Sequence, residues 1–414
     1  MRAAADRLPI VTIVLLFVGY ACTYFHRADL ATLAPLWLDD GAHDGLGRAL
    51  PDIASLGMLV YGFGKFAGGV LADRFGGRKL LVIALTGASL AEFAAAACTQ
   101  PGTLAVCRVL GMASLALAWP SVGQVVATAT PRARLATAMA FLSQSYLLGD
   151  ATVRAVLAAV VAHGGGPPAV LRTSATALAL AALVLGIGFV LVRHSTSRRG
   201  AAAAPAAQHI AAAAARTPRA PLAWLAAMSV ALALVREALS FWSPLLLVES
   251  CAMPAAEAVR ASALLPLAGG LGALAAGLLA DRGPRWLAGL TLVPLLAGGL
   301  GLGLLGAAQW NLAGTLLLLA AVCCCTAMPQ SLVSGVLPLR AGTSAGAARL
   351  GFVDGMGTLG SVFAAGGIAR VRDATSMAVA LAALAAVLAL AAIAASGFLV
   401  AAHRTARASA APPA

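Results

Sequence analysis

Gly69-Val70-Leu71-Ala72-Asp73-Arg74-Phe75-Gly76-Gly77-Arg78-Lys79 closes one long apolar stretch and opens the next, and a weaker copy, Gly277-Leu278-Leu279-Ala280-Asp281-Arg282, does the same in the second half of the chain. The two aspartates stand 208 positions apart (281 minus 73). A second pair of landmarks has nearly the same offset: Arg27 and Arg236, 209 apart (236 minus 27), each lie inside an apolar run. Each is followed eight residues later by a Pro-Leu pair, Pro35-Leu36 and Pro244-Leu245. Landmarks that recur at one offset mark an internal repeat.

Around these landmarks the chain is 61% hydrophobic and only 10% charged over 414 residues, with a mean hydropathy of +0.92. Soluble domains carry about 25% charged residues, so the composition points to an integral membrane protein. Each helical span needs about 20 residues to cross the hydrocarbon, and the length accommodates about twelve. The apolar windows are 10–38, 51–71, 80–98, 103–128, 136–162 and 169–192, then 223–248, 261–280, 286–306, 312–336, 345–369 and 374–400. Strand alternation is absent, which argues against a barrel. The first window is too long for a signal peptide and runs on through Arg27 without a small-residue cleavage site. The expected fold is therefore all-α: an N-terminal six-helix bundle over 1–192, a basic, Ala-rich linker over 193–222 and a C-terminal six-helix bundle over 223–414.

The net charge of +13 would suggest nucleic acid in a soluble protein, but its distribution explains it otherwise. Arg74, Arg78, Lys79, Arg132, Arg134, Arg193, Arg198, Arg199, Arg216, Arg219, Arg282, Arg285, Arg340, Arg404 and Arg407 fall in alternate loops or the C-terminal tail. The opposite loops carry only Arg48, Arg260, Arg370 and Arg372, among Asp39, Asp40, Asp44, Glu249, Glu257 and Asp373. The positive-inside rule then places both termini and the linker in the cytoplasm. The expected setting is the cell (inner or plasma) membrane, with lipid and a small anion as partners, no nucleic acid, and a monomeric chain. Cys323, Cys324 and Cys325 are adjacent and point in different directions on a helix, so they make no metal or redox site. Cys22, Cys98 and Cys107 also lie in apolar windows, and only Cys251 reads as loop-exposed. No metal motif, nucleotide loop or catalytic triad appears, and neither an enzyme nor a cofactor is expected.

A charged side chain at the membrane centre costs at least about 2.5–3.5 kcal/mol, so intramembrane arginines are functional candidates. Arginine stays protonated and presents a planar fork that matches carboxylate or phosphate oxygens. Tyr20, Tyr24 and Arg27, spaced four and three apart, share one helix face. Arg27 and Arg236 in a duplicated chain point to one anion site, and an ion pair of Arg27 with Asp29 or Asp354 is the structural alternative. Glu237 is expected to point away from Arg236. Asp150 and Arg154 are one turn apart, which fits a buried structural pair ahead of a proton-coupling role. His26, turned away from Arg27, reads as a filler or helix contact ahead of a proton switch.

The segment from Gly69 to Lys79, with its copy at Asp281, resembles the cytoplasmic loop signature of the major facilitator superfamily. That resemblance implies two pseudo-symmetric six-helix bundles, alternating access, and a gating role for Asp73, Arg74, Arg78, Asp281 and Arg282. A narrower resemblance, to the organophosphate:phosphate antiporter family, rests on Gly19-Tyr20-x-x-x-Tyr24-x-x-Arg27, Tyr61-Gly62-Phe63-Gly64-Lys65-Phe66, Trp119-Pro120, Arg236-x-x-x-x-x-Trp242-Ser243-Pro244 and Asp354-Gly355-x-Gly357-Thr358-x-Gly360. It implies substrate binding by Arg27, Arg236, Lys65, Tyr20 and Tyr24, with Gln144, Ser145, Trp242 and Asp354 as accessories. Arg108 resembles a structural arginine of the superfamily and joins Asp150 and Arg154 as a candidate for proton coupling. The pattern departs from the family at Ser145, where a substrate-linked histidine is expected, and at Ala233 and Pro266.

The leading expectation from these residues is exchange of a phosphorylated metabolite for inorganic phosphate. The alternative is proton-coupled symport of an organic carboxylate, because Arg27-Ala28-Asp29-Leu30 through Ala34-Pro35 also resembles the anion:cation symporter family. A third reading is a non-transporting sugar-phosphate sensor on the same fold.

Overall fold

A computed structural model describes residues 2–39, 44–197, 219–253, 258, 261–262, 264–283, 285–340 and 346–410. Among them every regular element is helical, as lipid requires of a chain that must satisfy its own backbone groups. The first half contains α1 (Arg2–Cys22), α2 (Tyr24–Asp39), α3 (Asp44–Phe75), α4 (Gly77–Ala95), α5 (Pro101–Leu115), α6 (Ala118–Ala129), α7 (Leu135–Ala162) and α8 (Pro167–Ser197). The second contains α9 (Arg219–Cys251), α10 (Leu264–Asp281), α11 (Arg285–Ala307), α12 (Leu312–Ser331), α13 (Leu337–Arg340), α14 (Gly346–Ser361), α15 (Ala364–Ala374) and α16 (Met377–Ala410). Most of the expected linker, 198–218, lies outside the described residues.

Ten described segments are long and apolar enough to cross a membrane. The two remaining windows, 80–98 and 345–369, hold α4, which includes Arg78, Lys79 and Glu92, and the α14–α15 pair, whose helices are 16 and 11 residues long. Three windows read as single spans are interrupted, the eleventh at Val362-Phe363 between α14 and α15. The first breaks at Thr23, whose hydroxyl donates to the Tyr20 carbonyl at 2.6 Å. The fourth breaks at Ala116-Leu117, leaving Pro120 in the first turn of α6, where a missing N–H is tolerated. Beyond Pro329 the backbone widens into a π-helical stretch, Leu332–Val336, before α13.

Contacts divide the chain into two compact units. Unit 1 comprises Met1–Pro131, Gln144–Ala215 and Gly342–Gly351, and unit 2 comprises Arg132–Ser143, Arg216–Ala341 and Phe352–Ala414. In unit 1, α4 packs on α5 and α8, and α3 on α5 and α6. In unit 2, α10 packs on α12, and α16 on α9 and α11.

The repeated motif performs the same task in each unit. Near the end of α3, Asp73 accepts hydrogen bonds from the Ala347 and Ala348 amides at 3.2 and 2.8 Å, capping the start of α14. At the end of α10, Asp281 accepts from the Ala136 and Thr137 amides at 3.0 and 2.8 Å, capping the start of α7. Helix N-termini present unpaired N–H groups and partial positive charge, which a carboxylate satisfies. The glycine four residues earlier allows the approach: a Cβ on Gly69 would lie 2.4 Å from the Ala347 carbonyl oxygen, and one on Gly277 would lie 2.5 Å from the Ala140 Cβ. After each aspartate the chain turns at a glycine with positive φ, Gly76 at 87° and Gly283 at 144°.

Candidate functional site

Unit 1 gathers two neighbouring polar groups on the first membrane segment. The break at Thr23 places Tyr20 at the end of α1 and Tyr24 at the start of α2. Arg27 donates from Nη1 to the Tyr24 hydroxyl at 2.9 Å, and its guanidinium carbon lies 4.6 Å from the Tyr24 ring centroid and 5.1 Å from that of Tyr61. Lys65, buried on α3, holds Nζ 4.3 Å from the same Tyr61 ring. Tyr20 packs against Trp119 of α6 with centroids 4.8 Å apart. Two of the chain's four tyrosines, Tyr24 and Tyr61, thus lie beside two cations. Such ring faces attract cations through their quadrupole and also offer flat apolar contact.

The second group is fully buried. Arg108 of α5 sends Nη1 to Asp29 Oδ2 at 2.9 Å and to Glu92 Oε1 at 2.5 Å, and Nη2 to the His26 carbonyl. His26 Nδ1 also meets Glu92 Oε1 and lies 3.3 Å from Arg108 Nη1. All four side chains are at most 1% exposed. The spacing of three between His26 and Asp29 turns both toward α4 and α5, away from the face of Arg27. Gly111 makes room, since a Cβ there would fall 2.1 Å from His26 Cε1. Burying ions is costly unless they are paired. Two carboxylates and one guanidinium leave this cluster one negative charge in excess when His26 is neutral, and a single bound proton brings it to zero. Among the described residues Glu92 Oε2 and His26 Nε2 have no hydrogen-bond partner.

In unit 2, Arg236 donates from Nη2 to Glu237 Oε1 at 2.5 Å, the two side chains being 40% and 42% exposed. The neighbour expected to point away is therefore its partner, because long flexible side chains can fold toward each other from adjacent positions. Trp242 lies under the Arg372 guanidinium, 4.9 Å from carbon to ring centroid. Asp354 is half-buried on α14, in the part belonging to unit 2.

The sequence profile of the Major Facilitator Superfamily matches residues 16–365. The chain belongs to the major facilitator superfamily. It is accordingly a multi-pass membrane transporter and not an enzyme. Solved superfamily structures share its fold at low identity: the Escherichia coli proton:xylose symporter XylE (13% identity, TM-score 0.71, covering 94% of this chain and 95% of that one) and the human organic anion transporter MFSD10 (14%, 0.68, 94% and 98%). The Escherichia coli fucose:proton symporter FucP gives 15% identity and a TM-score of 0.66 over 94% of this chain and 98% of that one. A curated relative, a gallate transporter from Pseudomonas putida, is 29% identical over 197 residues, 47% of this chain and 42% of that protein. The match therefore spans under half the length of that superfamily relative. It also corrects the narrower expectation, since it points away from organophosphate exchangers.

Several expected site residues of this superfamily member are placed differently from the sequence reading. Arg27 meets Tyr24, and both Arg27 and Lys65 lie against Tyr61, whereas Tyr20 packs on Trp119. Asp29 is not Arg27's counter-ion, because Arg108 holds it. His26 makes a helix contact, with Glu92 of α4 and Arg108 of α5; Glu92 was missed, although a lone acid within the apolar α4 was a signal. Asp150 and Arg154 do pair at 2.9 Å, but they are 36% and 56% exposed and hence not a buried pair. Ser145 is fully buried on α7, beside half-buried Gln144. Of the basic motif residues, Arg74 lies against Phe75 and Arg78 against Phe189, at 5.3 and 5.8 Å from the ring centroids, while Arg282 is exposed. Arg340, unassigned by sequence, joins Asp281 at 2.7 Å.

Proposed function

We propose that the chain is a proton-coupled symporter of an organic carboxylate, with aromatic acids as the substrate class. The observation that carries this is the buried cluster of Asp29, Glu92, Arg108 and His26, whose charge closes on one proton. A site that is neutral only when protonated can change access with its proton and resists doing so without it, because crossing the low-dielectric interior with net charge is unfavourable. The gallate relative supports a carboxylate, and the Tyr24 and Tyr61 rings beside Arg27 and Lys65 support an aromatic one.

In this reading Arg27 takes the carboxylate through its guanidinium fork, Lys65 adds long-range attraction, and the tyrosines flank the ring and offer hydroxyls. Arg236, already compensated by Glu237, takes an accessory role with Trp242, Gln144, Ser145 and Asp354. The aspartate caps at Asp73 and Asp281, with Arg74, Arg78 and Arg282 beside them, act as gates whose hydrogen bonds open and reform during alternating access. The loop charges support a cell-membrane location with both termini cytoplasmic.

Proteoliposome uptake of an aromatic acid such as gallate tests the proposal. An inwardly directed proton gradient should drive accumulation whether or not the vesicles contain phosphate. Uptake that follows internal phosphate and ignores the proton gradient would overturn the symport reading in favour of exchange.

A further inference from the structure

We infer that Cys98 and Cys107 form a redox-responsive dithiol that closes to a disulfide and staples α4 to α5. The two sulfurs face each other across the turn joining these helices, 3.7 Å apart. Cys98 lies in the turn just beyond α4, and its Sγ is 3.4 Å from the Ala94 carbonyl oxygen. Cys107 lies on the second turn of α5, and both residues are half-buried. A disulfide has an S–S length of about 2.05 Å, so side-chain rotation and a small hairpin adjustment have about 1.7 Å to close. The loop charges put this turn on the non-cytoplasmic side, the compartment in which disulfides persist. Cys251 makes a different contact, with Thr315 Oγ1 at 3.5 Å.

The oxidant is an external disulfide, either a small-molecule disulfide or an oxidised dithiol protein. One cysteine thiolate attacks it, breaking its S–S bond to give a mixed disulfide and one external thiol. The second cysteine thiolate then attacks the protein sulfur of that mixed disulfide, forming the Cys98–Cys107 bond and releasing the second external thiol. The external disulfide gains two electrons, and the two cysteine protons end on the two released thiols.

The staple bears directly on the buried charge cluster. Cys107 precedes Arg108, and Glu92 lies on α4 six residues before Cys98. Fixing the hairpin restrains any sliding of α4 on α5 that parts Glu92 from Arg108. This effect on transport rests on the proton-coupled reading above, whereas formation of the bond does not.

The full-length chain in proteoliposomes would be treated with oxidised glutathione, denatured, and labelled with a maleimide. Two of the seven thiols should become unreactive, peptide mapping should recover a Cys98–Cys107 cross-link, and dithiothreitol should restore both. Cys98→Ser and Cys107→Ser should each abolish the cross-link. Full labelling of both cysteines after oxidation, or glutathione adducts without a cross-link, would overturn the dithiol. Proton-driven uptake and counterflow are then compared before and after oxidation. Slowing of both that reverses with dithiothreitol supports the restraint, and unchanged rates in cross-linked protein overturn it. Loss of proton dependence in the untreated protein would instead count against the symport reading.

Discussion

Glu92→Gln removes one negative charge from the buried cluster and leaves its shape almost unchanged. Asp29 and Arg108, 2.9 Å apart, then balance without a proton. Symport of one proton with a monoanionic carboxylate is electroneutral. One pH unit is worth about 1.4 kcal/mol, which sustains about tenfold accumulation. The wild type should approach that ratio per unit of gradient with the membrane potential clamped at zero, and Glu92→Gln should fall to about one. Counterflow of substrate against substrate, which needs no net proton movement, should persist in the variant. The lost charge-assisted contact at 2.5 Å costs about 1.5–3 kcal/mol, so a thermal-unfolding measurement confirms that the protein remains folded. Asp29→Asn changes the count in the same way and should uncouple equally. Asp150→Asn, in an exposed pair, should leave accumulation intact. Tenfold accumulation by folded Glu92→Gln protein would refute the proton count.

Gly111→Ala drives a methyl group into the His26 ring and should cost about 1–3 kcal/mol of stability; the drop in unfolding temperature should shrink in a His26→Ala background, and equal drops would show that the ring is not the obstacle. Asp73→Asn and Asp281→Asn should each cost about 0.5–2 kcal/mol as weakened caps. The loss should be larger at Asp281, which also surrenders Arg340, and thermal unfolding checks the order. Arg27→Lys retains charge but not the fork, so half-saturation for an aromatic acid should rise about tenfold, equivalent to about 1.4 kcal/mol; unchanged half-saturation would rule out two-pronged holding of the carboxylate.

The fold was legible because the bilayer leaves a chain this apolar few choices, and because the duplicated Gly-x-x-Ala-Asp-Arg places the same cap in each half. The site was only partly legible. Helical spacing put Tyr24 beside Arg27, as the structure has them, while Tyr20 lies across the break at Thr23 and packs on Trp119. Spacing says which residues share a face but not what that face meets, so His26 was turned correctly yet left without a partner. Glu92 comes from another helix, and its meeting with Arg108 depends on how α4 and α5 are laid together. The Arg236–Glu237 contact depends on side-chain flexibility, which periodicity does not encode.

The wide turn at Leu332–Val336 has an effect on phase. Its hydrogen bonds skip one residue more than those of an α-helix, so the stripe drawn along Leu312–Ser331 does not continue onto Leu337–Arg340. The helix changes its heading in rotation without stopping, and Arg340 emerges within reach of Asp281. A single extra residue of winding thus acts as an aiming device, and deleting one residue from this turn would carry the guanidinium about a quarter of a revolution off its target.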